Sequence, residues 1–202
     1  MSVLRLYEDS GLTQIVSRSG DYGNPDSEAL LDGTNGGSAQ KALWAAVEQT
    51  VLDGAVDEEQ TSLSLAAPRF ADPDYPVIVI DSEKMLITAG HGTSGLTVQR
   101  GYRGTTPAAH AAGAPVRLAY DCSSITIECA DLFGADESAW VTYCADSGGL
   151  PSGSWEAPHA IGSLGYSQGA AFHRRVVVPA STPASYKLDL VHRFTCTIEE
   201  HQ

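Results

Sequence analysis

Residues 77–89 read VIVIDSEKMLITA. An apolar run from Val77 to Ile80 meets a charged turn, Asp81-Ser82-Glu83-Lys84, and a second run resumes at Met85, Leu86 and Ile87. Runs this short, rich in β-branched residues and bounded by turn chemistry, are too brief for helices and read as an antiparallel hairpin.

The same pattern extends outward. Upstream, TSLSLAA (61–67) alternates Leu63 and Leu65; downstream, GHGTSG (90–95) turns into LTVQRGYRG (96–104), with Leu96 and Val98 on one face, and APVRLAY (114–120) reads as a further strand. Between them TTPAAHAAGA (105–114) is small-residue chain that predicts a flexible loop. At the amino end, VLRLYED and TQIVSRS predict two short strands around Asp9-Ser10-Gly11; a Gly-, Asn- and Pro-rich loop comes next over 20–40; KALWAAVEQTVLDG (41–54) predicts a strand leading into an acidic linker. In the last third, SSITIECADL, AWVTYCA, RRVVVPA and YKLDLVHRFTCTIEE predict strands, with a long turn-rich excursion over 148–168. In the last of these, Leu188, Leu190, His192, Phe194, Cys196 and Ile198 share a face at period two. Strands at this spacing predict an all-β chain, a sandwich or small barrel.

Composition narrows the function. The net charge of −13, with only 12 Lys and Arg spread along 202 residues, argues against a nucleic-acid groove. No apolar run approaches the ~18 residues of a membrane span, and Arg5, Glu8 and Asp9 interrupt the amino end before a signal-peptide core could form, which predicts no membrane partner and a chain made in a cytoplasm or a mature chain without its leader. Cys122, Cys129, Cys144 and Cys196 sit in apolar, strand-like contexts without C-x-x-C spacing, so reduced, packed thiols are expected.

Chemistry-bearing motifs are few. Gly165-Tyr166-Ser167-Gln168-Gly169 fits G-x-S-x-G and resembles the nucleophile elbow of cutinases. The elbow needs a strand before the serine and a helix after it. Here a loop-like SWEAPHAIGSL precedes and a Val- and Pro-containing strand succeeds it, while Asp189 and His192 fall three apart on one strand, on opposite faces. A cutinase-like esterase using Ser167, with His192 or His201 as base, is therefore the remote alternative, and a tight turn is the expected role. His91 and His110 lack metal-ligand spacing, and His192 reads as a hydrogen-bonded core histidine. Asp81 and Glu83 have the spacing of an acid pair but read as a charged hairpin tip. Asp53, Asp57, Glu58 and Glu59 form no calcium loop, and DGTNGG (32–37) lacks the Lys and helix of a phosphate cradle. No cofactor, no metal and no catalytic residue is expected.

Residues 61–118 carry the most specific pattern: Asp81, Ser82, Glu83, Met85, Ile87 and Thr88, then Leu96-Thr97-Val98, Arg100-Gly101, Arg103-Gly104-Thr105-Thr106, Ala108-Ala109-His110 and Val116. As a unit they resemble a small β module of tailed-bacteriophage virion proteins, mostly tail, baseplate and neck components. Beside the resemblance, Glu83 and Arg100 can pair across a hairpin and Gly101 and Gly104 permit a tight crossover. The stretch FHRRVVVPASTPASYKLDLVHRFTCTIEE (172–200) resembles the closing hairpin of an immunoglobulin-like sandwich.

Together these predict an all-β chain in which residues 1–50 and 119–202 form a discontinuous immunoglobulin-like β-sandwich and residues 51–118 an inserted small β-barrel-like or β-hairpin domain. The resemblance implies a non-enzymatic virion structural protein, made in the host cytoplasm and assembled with other phage virion proteins in a homo-oligomeric ring. A capsid decoration protein and a host-receptor or glycan-binding module are the alternatives. Tyr22, Tyr102, Arg103, Trp155 and Tyr166, on the loops at 20–40, 101–115 and 148–168, are the candidate assembly contacts.

Overall fold

The computed structural model describes residues 3–17, 30–183 and 189–202. Among them the chain is all-β, with fourteen strands, two single-turn 3-10 segments and no α-helix. The strands form three curled sheets. One has five strands in the order β1 (Leu4–Tyr7), β2 (Gly37–Val47), β13 (Gly169–Val178), β10 (Val141–Ser147) and β11 (Leu150–Glu156). A second has three, β12 (His159–Leu164), β9 (Tyr120–Asp131) and β14 (Leu190–Glu200). The third has six, β3 (Gln49–Val51), β8 (Pro115–Leu118), β5 (Val77–Ile80), β6 (Glu83–Ala89), β7 (Gly95–Gln99) and β4 (Ser62–Ser64).

The hairpin at 77–89 is the centre of the six-stranded sheet. Ile80 pairs with Glu83, leaving Asp81 and Ser82 as a two-residue loop, and Asp81 takes the positive φ (53°) that such loops need at their first position. All four residues of β5 are buried, as expected of an apolar run covered on both faces. Every strand of this sheet lies within residues 49–118, whereas β2 pairs with β13 from Gly37↔Val178 to Ala46↔Gly169, joining the two ends of the sequence. The chain passes between sheets at Glu48 and at Ala119. These crossings adjoin: the Leu118 amide donates to the Glu48 carbonyl at 3.1 Å, and the Ala119 amide to the Val77 carbonyl at 2.9 Å.

One apolar core runs through all three sheets, including Leu43 and Phe172 from the first, Ile125 and Ile127 from the second, and Ile78, Ile80 and Met85 from the third. The five- and three-stranded sheets meet across it. Tyr143 of β10, fully buried, is hydrogen-bonded through its hydroxyl to His192 Nδ1 of β14 at 2.7 Å, so His192 is the hydrogen-bonded histidine its apolar face predicted. Phe194, Cys196 and Ile198 share its half-buried face on β14; Leu188 lies outside the described residues.

Three expectations are corrected. Residues 172–200 do not form a closing hairpin: β13 pairs with β2 and β10, and β14 with β9 in a separate sheet. Residues 148–168 are not a loop excursion: Gly148 and Gly149, both at positive φ, turn β10 into β11, and β12 comes next in the neighbouring sheet. Nearly every side chain of β11 is exposed, so it lacks the buried alternation that marks a strand in sequence. Residues 105–114 are also pinned rather than loose, because His110 and Val56 exchange backbone hydrogen bonds at 2.9 Å in each direction. Of the 20–40 loop, residues up to 29 lie outside the described chain, and Gly37 already begins β2.

Candidate functional site

The densest polar arrangement lies beside the 77–89 hairpin and is built almost wholly from the module-like residues. Glu83 opens β6 with its side chain only 1% exposed, and it accepts five hydrogen bonds. Arg100 donates from Nε to Oε1 at 2.7 Å and from Nη2 to Oε2 at 2.8 Å; the Gly101 amide reaches Oε1 at 3.1 Å; the Ala108 amide and His110 Nε2 reach Oε2 at 3.0 and 2.9 Å. Burial works against this charge, but the donors outweigh it, Arg100 foremost, and hold the carboxyl down at about 2.

Arg100 is equally saturated. Beyond Glu83, its Nη1 donates to the carbonyls of Asp57 and Gln60 at 2.7 and 2.8 Å, and Nη2 to that of Ala108 at 2.5 Å, which uses all five guanidinium N–H groups. The acidic stretch is thereby folded onto the arginine rather than left as a free linker. His110 has carboxylates at both ring nitrogens, Asp81 Oδ2 at 2.8 Å from Nδ1 and Glu83 Oε2 at 2.9 Å from Nε2. The two carboxylates therefore sit on opposite sides of the imidazole and do not converge on a common point. Among the described residues no group of three or more His, Cys, Asp or Glu is placed to hold a metal ion.

Glycine is required at one point of this knot. Gly101 sits at φ 63°, and a Cβ there would meet the Thr105 carbonyl oxygen at 2.9 Å and the Pro107 ring at 3.1 Å. Thr105 completes the closure, its Oγ1 accepting from the Lys84 amide at 3.0 Å. The Glu83–Arg100 pair was legible across the hairpin. The hairpin-tip reading of Glu83 is corrected: Asp81 is at the tip, 63% exposed, while Glu83 is buried. His110 as the third member was missed; its signal was the set of small residues around it, Ala108, Ala109, Ala111 and Ala112, which let the backbone approach closely.

The knot faces the end of β14. Arg103 of the 3-10 turn at Tyr102–Gly104 forms a bidentate pair with Glu200, both contacts at 3.0 Å, and Lys84 Nζ donates to the His201 carbonyl. The Tyr75 and Tyr120 rings meet edge-on at 5.2 Å along the same seam.

No family model, curated protein or solved structure matches this chain.

The candidate assembly contacts are dispersed, and those described already have partners within the chain. Tyr102 packs partly buried against the core with the Arg103 guanidinium 5.2 Å from its ring, Trp155 lies under Arg175 at 4.4 Å, and Tyr166 packs on His201 at 4.5 Å. Arg103 remains 58% exposed beyond its ion pair. Tyr22 lies outside the described residues.

Ser167 lies exposed in a turn between β12 and β13, closed by the Gln168 amide donating to the Gly165 carbonyl at 2.9 Å; the chain continues into strand, not helix. The acid and base beside this turn are Asp121 and His201, 2.7 Å apart, not Asp189 and His192. The Tyr166 amide anchors the turn to Asp121 at 2.9 Å, and Ser167 has no hydrogen bond to His201 among the described residues. His91 Nδ1 donates to the Phe70 carbonyl at 3.2 Å. No helix among the described residues is long and apolar enough to cross a membrane.

Proposed function

We propose that this chain is a non-enzymatic structural component of a tailed-phage virion, placed in the tail, baseplate or head-to-tail neck. In this reading residues 1–50 and 119–202 make an immunoglobulin-like sandwich and residues 51–118 a small inserted β domain. The observation that carries it is the use of the module-like residues. Glu83, Arg100, Gly101, Ala108 and His110, which bear the resemblance, are spent on one another in a closed knot, with no donor of Arg100 left for a ligand. Such a knot fixes a backbone shape next to the Tyr102–Gly104 turn, where the Arg103 side chain stays 58% exposed. That suits a scaffold presenting loops to neighbours.

Its mechanism is assembly: exposed strand edges and loops meet other copies and neighbouring virion proteins, made in the host cytoplasm and retained in the particle. The test is quantitative mass spectrometry of purified particles from the source. Copies in multiples of three or six support a tail or neck ring, hundreds point to capsid decoration, and absence from particles sinks the reading. Binding of host-surface glycans by the isolated chain would instead favour a receptor module.

A further inference from the structure

β14 is an edge strand. It pairs with β9 along one side, and among the described residues no strand lies along the other. The molecule's other edges are blunted. Residues 14–16 cover β1 through the Tyr7↔Ile15 bridge and the Val16 amide on the Leu6 carbonyl at 2.9 Å. β11 carries Pro151 and loses register between Tyr143 and Ala145, β12 breaks register against β9 twice, and β3 and β4 are three residues each. By contrast β14 runs for 11 residues without Gly or Pro. Its single register shift places the extra residue on β9, where Ser124 takes φ 52°, so β14 itself stays regular. A long, regular, open edge is a template for strand pairing, and natural sheets rarely leave one without a partner.

The sequence of this edge is complementary to itself. It reads HRFTCTIEE over 192–200. Laid antiparallel on a second copy with Cys196 opposite Cys196, Arg193 faces Glu199, Thr195 faces Thr197 and Phe194 faces Ile198. Residues directly opposite in an antiparallel pair share a face, so all three matches are geometrically real neighbours. Arg193 and Glu199 are exposed and make no ion pair among the described residues. Within one copy Arg193 stands opposite Glu128 without forming an ion pair, and Glu199 stands opposite Asp121, which is held by His201 and the Tyr166 amide, so a second copy's Arg193 would give Glu199 the cation it lacks. On the other face Phe194, Cys196 and Ile198 are only half-buried, although Ile125 and Ile127 beside them on β9 are fully buried.

We propose that β14 pairs antiparallel with β14 of a second copy about a two-fold axis at Cys196, continuing the three-stranded sheet across both chains. This stands independently of the virion reading. An isologous contact closes at two copies, so a ring would need a second, heterologous surface.

The test uses the full chain and sedimentation velocity. The wild type is expected to sediment at twice its 21.2 kDa mass. Arg193→Glu and Glu199→Arg each juxtapose like charges twice per dimer, and each is expected to weaken dimerisation at least about tenfold. Their equimolar mixture restores both pairs in a heterodimer and is expected to dimerise as the wild type does. A monomeric wild type overturns the proposal, as do single variants that still dimerise, or a mixture that stays monomeric.

Discussion

Glu83 and Arg100 stand as a bidentate pair with side chains 1% and 6% exposed, and the guanidinium's remaining donors fasten three backbone carbonyls. The pair thus ties together β6, the acidic stretch at 57–60 and the chain at 108. Removing one partner would strand the other in a dry site. Glu83→Gln is expected to lower stability by about 3–5 kcal/mol, the usual cost of an uncompensated buried charge, as read from urea unfolding. A loss below about 1 kcal/mol would mean the knot is not what holds this module.

The same carboxylate gives a pH dependence of known sign. Its folded value, about 2, lies below its ordinary 4.5, so the folded state binds the proton less readily than the unfolded state. Its contribution is full above 4.5 and is lost as pH falls toward 2. Unfolding free energies measured at neutral pH and at steps down through this window should decline, and the decline should be shallower in Glu83→Gln.

The Tyr143–His192 hydrogen bond links the five- and three-stranded sheets through the core. Tyr143→Phe keeps the ring and its edge contact with Phe172 while leaving His192 without that partner. The expected loss is about 1–2 kcal/mol. A double-mutant cycle with His192→Ala should assign it to the pair, and additive effects would deny the coupling.

Thiol reactivity tracks burial. Cys122 is pushed up to about 12, first by desolvation and then by neighbouring Cys196, and burial also raises Cys144. Both should resist iodoacetamide in the folded protein and react fully after denaturation. Rapid native labelling of Cys122 would contradict the packing described for β9.

Ser167 offers a direct contrast with the elbow reading. Ser167→Ala should leave stability within about 0.5 kcal/mol of wild type, as for other exposed turn positions. A fluorophosphonate probe should leave Ser167 unlabelled, and labelling would revive an esterase assignment.

Much of the architecture was legible because it rests on local signals. The buried run at 77–80 and the alternation of β14 each state their geometry within a few residues, whereas the turn read over 81–84 shrinks to 81–82 because Glu83 and Lys84 already pair with Ile80 and Val79. Glu83 with Arg100 was legible as opposite charges flanking one hairpin. The features that escaped depended on contacts distant in sequence or on strands without an apolar face. Arg103 meets Glu200 from 97 residues away, and no periodicity brings His110 to Glu83. β11, exposed along nearly its whole length and rich in Gly, Ser and Pro, has the composition of a loop and is a strand only because β10 offers it an edge. Ser167 was read correctly for the same local reason: small residues around a serine suit a β-turn as well as an elbow, and the next element, a strand and not a helix, separates them.

Whether this chain is a virion component is decided by counting it in purified particles by mass spectrometry. A fixed copy number per particle, in multiples of three or six, is the expected result. Its absence from particles that are otherwise complete would contradict the virion assignment.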